Sequence, residues 1–228
     1  KEKQMEYFKS KALLNNKGSL HGTITSDPIT TFEVEGETFY EGKIEVKRLS
    51  LASDIIPFTI SEKILKGQSL SLLPNTEFTF AGEFRSYNRI IDEKSRLILS
   101  FFVKEVCLGE TEMSLNELSL TGFICKEPVY RTTPFNRQIC DVLVAVNRPS
   151  FNKSDYIPCI LWGRNACLMQ NQKVGTKVTI VGRIQSRIYK KDNGNGQIEQ
   201  RTAYEVSGQQ LTIEQSSQSA ENEESIAN

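Results

Sequence analysis

The sequence predicts an all-β chain made of two tandem five-stranded Greek-key barrels, each with a short helix between its third and fourth strands. Two observations predict it. The chain repeats itself at a spacing of about 100 residues, and each copy alternates apolar and polar residues with the two-residue period of strands, broken by one short helix-like stretch.

The repeat sets the domains. Ser19, Leu20, Gly22, Ile24 and Pro28 match Ser119, Leu120, Gly122, Ile124 and Pro128, with Asp27 answering Glu127. Val46 and Arg48 match Val146 and Arg148, Asp54, Ile56 and Pro57 match Asp155, Ile157 and Pro158, and Gly82 and Ser86 match Gly182 and Ser186. Identities kept in order and nearly in register along a whole domain indicate duplication. The copies fall at residues 19–112 and 113–213, after an N-terminal arm of residues 1–18 and before an acidic tail of residues 214–228. A chain of 228 residues has room for two cores of that size.

In the second copy the strands are expected over Ser119–Cys125, Gln138–Asn147, Tyr156–Leu161, Lys177–Tyr189 and Arg201–Thr212. Arg164–Gln172 is the helix, closed by Gly175. KKDNGNG, with Asn193 before Gly194, joins the last two strands as a hairpin. In the first copy Ser61 is the expected N-cap of the helix, and Pro74 with Asn75 ends the connection after it. Gly82 and Gly182, both in mid-strand, mark where a long strand bends to close a barrel. Five strands with a helix between the third and fourth is the order of an OB-fold, a barrel that often binds oligonucleotides.

The residues able to carry function cluster in the second copy. In DYIPCILWGR, Ile157, Cys159 and Leu161 share one face, so Tyr156, Pro158, Ile160 and the single tryptophan, Trp162, share the other, with Arg164 just beyond. In the fourth strand Val178, Ile180, Gly182, Ile184 and Ile188 take the inner phase. Arg183, Arg187 and Tyr189 then project outward, followed by Lys190 and Lys191. Interleaved cations and rings on an open sheet face suit a single nucleic-acid strand, because charges follow phosphates and rings stack on bases. Phe151, flanked by Arg148 and Lys153, and Arg131 and Arg137 in the first connection are further candidates. The first copy keeps Arg85, Tyr87 and Arg89 on its outward phase as a secondary set, but Ser61, Ile55 and Glu83 stand where the second has Trp162, Tyr156 and Arg183.

Charge divides the same way. Lysine plus arginine equals aspartate plus glutamate at 28 each, yet residues 19–112 carry a balance of −5 and residues 119–213 one of +7. Five cysteines without a CxxC pair, and a single His21, leave no usual zinc set, so neither a metal nor another cofactor is expected. Unpaired thiols in apolar runs fit a reducing, cytoplasmic compartment, and no apolar run is long enough to span a bilayer. There is no phosphate-binding loop and no constellation of carboxylates with histidine, so catalysis is not expected.

LTGFICKEPVYRTTPFNRQICDVLVAVNRP, DYIPCILWGR and GTKVTIVGRIQSRIY together resemble the bacterial single-stranded DNA-binding protein family over almost all of residues 119–213. The resemblance implies base stacking at Tyr156, Trp162 and Tyr189, with Phe151 near another such site. It also implies single-stranded DNA as the partner in replication, recombination or repair, four barrels working together with DNA wrapped around them, and no catalysis. Members with two barrels per chain imply a homodimer. The family's acidic tail ends in an apolar tip of Pro and Phe that recruits replication and repair enzymes, whereas this chain ends ENEESIAN, so recruitment by such a tip is not expected. The first barrel, acidic and poor in rings, is expected mainly to build the assembly. The competing reading is an OB-fold scaffold, similar to primosomal accessory proteins, whose rings form a protein interface.

Overall fold

A computed structural model describes residues 15–50, 52–91, 93–107, 115–148, 152–192, 194 and 198–214. The first barrel is built from β1 (Asn16–Ile24), β2 (Thr30–Val34), β3 (Glu37–Lys47), β4 (Ser53–Ser61), α1 (Glu62–Gly67), β5 (Glu77–Ile91) and β6 (Lys94–Cys107). The second repeats that order with β7 (Asn116–Ile124), β8 (Val129–Thr132), β9 (Gln138–Arg148), β10 (Lys153–Trp162), α2 (Gly163–Met169), β11 (Lys177–Asp192) and β12 (Ile198–Ile213). Both are OB-folds. The parallel β4–β6 and β10–β12 pairs, with β3–β1 and β9–β7 pairings closing each cylinder, give the Greek-key path.

The local chemistry explains the elements. Ser61 accepts the Lys63 N–H at 3.1 Å and so caps α1. Both long strands bulge where expected, between Ala81 and Gly82 and between Val181 and Gly182. A Cβ on either glycine would lie 2.1 Å from a backbone oxygen, of Phe102 or of Ser207, so only glycine lets the strands approach. Each interior is apolar: Phe58, Phe80, Phe84 and Phe101 fill the first barrel, and Ile157, Cys159, Leu161, Val178, Ile180 and Ile184 lie buried in the second.

Some expectations are corrected. Residues 16–18, assigned to the arm, belong to β1, and the small strands β2 and β8 were not foreseen in the first connections. Ile188, expected inside, is 64% exposed, because β11 and β12 outrun the barrel as a free hairpin. Ile160, expected outside, is buried.

The two barrels join into one twelve-stranded sheet through antiparallel β1 and β7, with Gly18 opposite Leu118. Side chains lock the junction with twofold pseudosymmetry. Within the first barrel Asn16 both donates to the Phe84 carbonyl and accepts the Phe84 N–H, and within the second Asn116 does the same with Ile184; bonds that cross between the barrels come from two aspartates and two serines. Asp155, almost fully buried, takes two bonds from Arg148 at 2.6 and 2.8 Å and a third from the Ser86 N–H of the first barrel at 2.7 Å. Asp54, fully buried, takes two from Arg48 at 2.5 and 2.7 Å and the Ser186 N–H of the second barrel at 2.8 Å. Each serine hydroxyl then accepts a backbone N–H from the opposite barrel, Ser86 from Tyr156 at 2.7 Å and Ser186 from Ile55 at 3.2 Å.

Removing either carboxylate strands a guanidinium and an N–H in the junction. Asp155→Ala or Asp54→Ala is expected to cost about 3–5 kcal/mol, as for breaking one side of a buried pair. Urea unfolding measures this, and an unchanged midpoint would show that the junction does not depend on these groups.

Candidate nucleic-acid interface

The outer face of β10 presents Tyr156, 45% exposed, and Trp162, 39% exposed, six residues apart along one extended strand, a separation of about 20 Å. The Trp162 Nε1–H donates to the Ser207 hydroxyl of β12 at 3.1 Å, which fixes the indole edge while leaving a ring face open. Arg164 is exposed in the first turn of α2, and Lys190 and Lys191 are exposed on the free hairpin. On that hairpin the Arg187 guanidinium lies 5.8 Å from the centre of the half-buried Tyr189 ring and 3.5 Å from Glu205. Arg131 pairs with Asp141 at 2.8 Å, and Arg137 is exposed in the turn after β8. Phe151 lies outside the described residues.

Two candidate cations belong to the barrel junction instead. Arg148 grips Asp155 and also donates to the Ser86 carbonyl at 3.0 Å, and its bond to Asp155 raises its pKa. Arg183 reaches across to Asp54 at 3.1 Å, while burial first and then the neighbouring Arg48 pull its pKa down. Strand periodicity assigns both to an outward phase, but that phase faces the other barrel. The secondary set is likewise engaged: Arg85 pairs with Glu83, and Tyr87 and Arg89 both bond Glu41.

Sequence reasoning missed four residues. Ser207 anchors the indole. On the first barrel Phe32, Phe39 and Phe102 form a row, with centroids 5.5 Å apart for Phe32 and Phe39 and 5.9 Å for Phe39 and Phe102. The signal for Phe32 and Phe39 was the Glu35–Gly36 turn, whose φ values of 51° and 76° make a two-residue hairpin and set those rings opposite each other. Two adjoining clefts of about 520 and 380 Å³ lie on this barrel, and neither is lined by Trp162 or Tyr156. His21 is a strand residue whose Nδ1 lies 2.9 Å from the Thr79 hydroxyl. Among the described residues no group of three His, Cys, Asp or Glu is placed to hold a metal, and no helix is long and apolar enough to cross a membrane.

Tandem OB barrels with rings and cations displayed outside the cylinder have the arrangement in which OB-folds commonly bind oligonucleotides. Residues 115–214, the second barrel, match the model of the Single-strand binding protein family. Over 86 residues, 35% of its length, the chain is 35% identical to a single-stranded DNA-binding protein of Oceanobacillus iheyensis, covering 53% of that protein. It is 36% identical to single-stranded DNA-binding protein 3 of Streptococcus agalactiae, covering 62% of it. The match thus spans little more than half the length of these relatives. The crystal structure of the wild-type single-stranded DNA binding protein from Thermus aquaticus superposes with a TM-score of 0.65 over 88% of this chain and 93% of that one, at 15% identity, a likeness of fold across both barrels.

Tyr87 gives a titration test of the first barrel's face. Burial, and then the bond to Glu41, push its pKa up to about 12. The folded chain therefore favours the neutral phenol. The contribution is fully present below about pH 10 and lost as pH rises through about 12. Phenolate absorbance, as the difference between the parent chain and Tyr87→Phe, is expected to show ionisation near the upper value, and Glu41→Gln to move it down. A Tyr87 that titrates like a free phenol would contradict the described bond.

Proposed function

We propose that the chain binds single-stranded DNA with little regard to sequence, in replication, recombination or repair, and that the second barrel supplies most of the binding surface. The observation that carries this reading is the pair of exposed rings, Tyr156 and Trp162, on one face of β10, in a barrel that also exposes the cations Arg164, Lys190 and Lys191. Bases stack on the rings while phosphates run past the cations. Tyr189, Arg187, Arg131 and Arg137 extend this path. The names of the relatives agree with this ligand. The role is binding rather than catalysis, and the working unit is a homodimer of four barrels in the cytoplasm. Free thiols at Cys140 and Cys159 suit a reducing compartment.

Titration with oligo(dT) tests the proposal. DNA is expected to quench Trp162 fluorescence, and Trp162→Ala to lose about 1–3 kcal/mol of affinity. Binding is expected to weaken steeply with salt, and Lys190→Glu with Lys191→Glu to flatten that slope by about one unit for each phosphate no longer neutralised. Salt-insensitive binding or an unaltered Trp162→Ala affinity would favour a protein interface on this face.

A further inference from the structure

Strand pairing lets the outer faces of the two barrels be compared position by position. In the second barrel one row across the sheet runs Arg131, Ile139 and Trp162, and the indole bonds Ser207, which stands opposite Arg183. In the first barrel the same row runs Phe32, Phe39 and Ser61, and the position of Ser207 is held by Phe102, opposite Glu83. The large ring thus stands on β6 in the first barrel rather than on β4, the counterpart of β10. The position matching Trp162 is a serine whose hydroxyl is occupied by capping α1 and bonding Glu37.

From this exchange we infer that the first barrel carries its own base-stacking site, made of Phe32, Phe39 and Phe102, for the same single-stranded DNA. The inference rests on the function proposed above. Phe32 is 37% exposed and lies nearly parallel to Phe39, at 16° between planes. Phe102 has the Arg85 guanidinium 4.0 Å and the Lys104 ammonium 5.0 Å from its centre, so cation and ring form one platform. The larger cleft is lined by Phe32, Val34, Tyr87 and Phe102, and Arg148 of the second barrel closes one side. Its volume of about 520 Å³ falls in the range of small-ligand pockets. The cleft reaches the second barrel through Arg148, which lines it and donates to the Ser86 carbonyl at 3.0 Å.

The two faces differ in the force they use. Arg85 and Arg89 are already matched by Glu83 and Glu41, so the first barrel contributes stacking with little release of counterions. The second contributes both stacking and charge. That asymmetry separates this site from a generic basic patch.

The experiment compares the full chain with the double variant Phe32→Ala/Phe102→Ala, using oligo(dT) of about 15 nucleotides, one barrel's span, and a longer one of about 35. Urea unfolding checks that the variant folds, and Phe32→Ser alone, on the exposed edge strand β2, serves if it does not. The short oligonucleotide is expected to quench Trp162 equally in both proteins. The longer one is expected to bind the double variant about tenfold more weakly, to occupy fewer nucleotides per chain at saturation, and to show the same salt slope. Intact Trp162 quenching with unchanged long-oligonucleotide affinity and stoichiometry overturns this inference alone and assigns the rings to a protein interface. Absence of Trp162 quenching in the parent chain overturns the second barrel's proposed function and this site with it.

Discussion

Asp54 and Asp155 fix how the two barrels sit. Each is held by an arginine of its own barrel and reaches a backbone N–H of the other, so neither barrel can rotate without leaving a buried carboxylate or an N–H unmatched. The β1–β7 ladder supplies the register and the carboxylates supply the angle. That angle in turn places Tyr156 next to Ser86 and brings Arg148 to the rim of the first barrel's cleft. The continuity of the outer surface therefore depends on two carboxylates that are themselves shut away from solvent.

Around this shared frame the cores have exchanged residues but stayed apolar, while the outer faces have changed chemistry. Phe58, Phe80 and Phe101 in one core, and Ile157, Leu161 and Val206 in the other, fill the same kind of cylinder. The exposed rows have exchanged arginine for phenylalanine and tryptophan for serine. Interior positions are constrained by close packing, whereas an outward position can change chemistry at little cost in stability.

Much of this was legible in the sequence. The duplication, the strand periods and the two bending glycines pointed to both barrels, and the inward phase of Ile157, Cys159 and Leu161 turned Trp162 outward. The repeat even displayed the junction, as Arg48 with Asp54 and Arg148 with Asp155, but their meaning was hidden because each carboxylate also takes a backbone N–H from the opposite barrel. Arg183 was misplaced for the same reason. Periodicity says which side of a strand a residue takes, not what stands on that side. Phe32, Phe39 and Phe102 escaped notice because they sit on three strands and meet only across the sheet, and Ile188 because the alternation continues past the point where the barrel ends.

Joining both barrels in one polypeptide has an evolutionary consequence. In an assembly of identical subunits each substitution appears at every symmetry-related site, so a basic face cannot be gained on one copy without appearing on its mate. Here the β1–β7 seam is made within one molecule, so it survives dilution and places no such restriction on its halves. One half has moved to a balance of −5 and the other to +7 while the seam between them kept its twofold form.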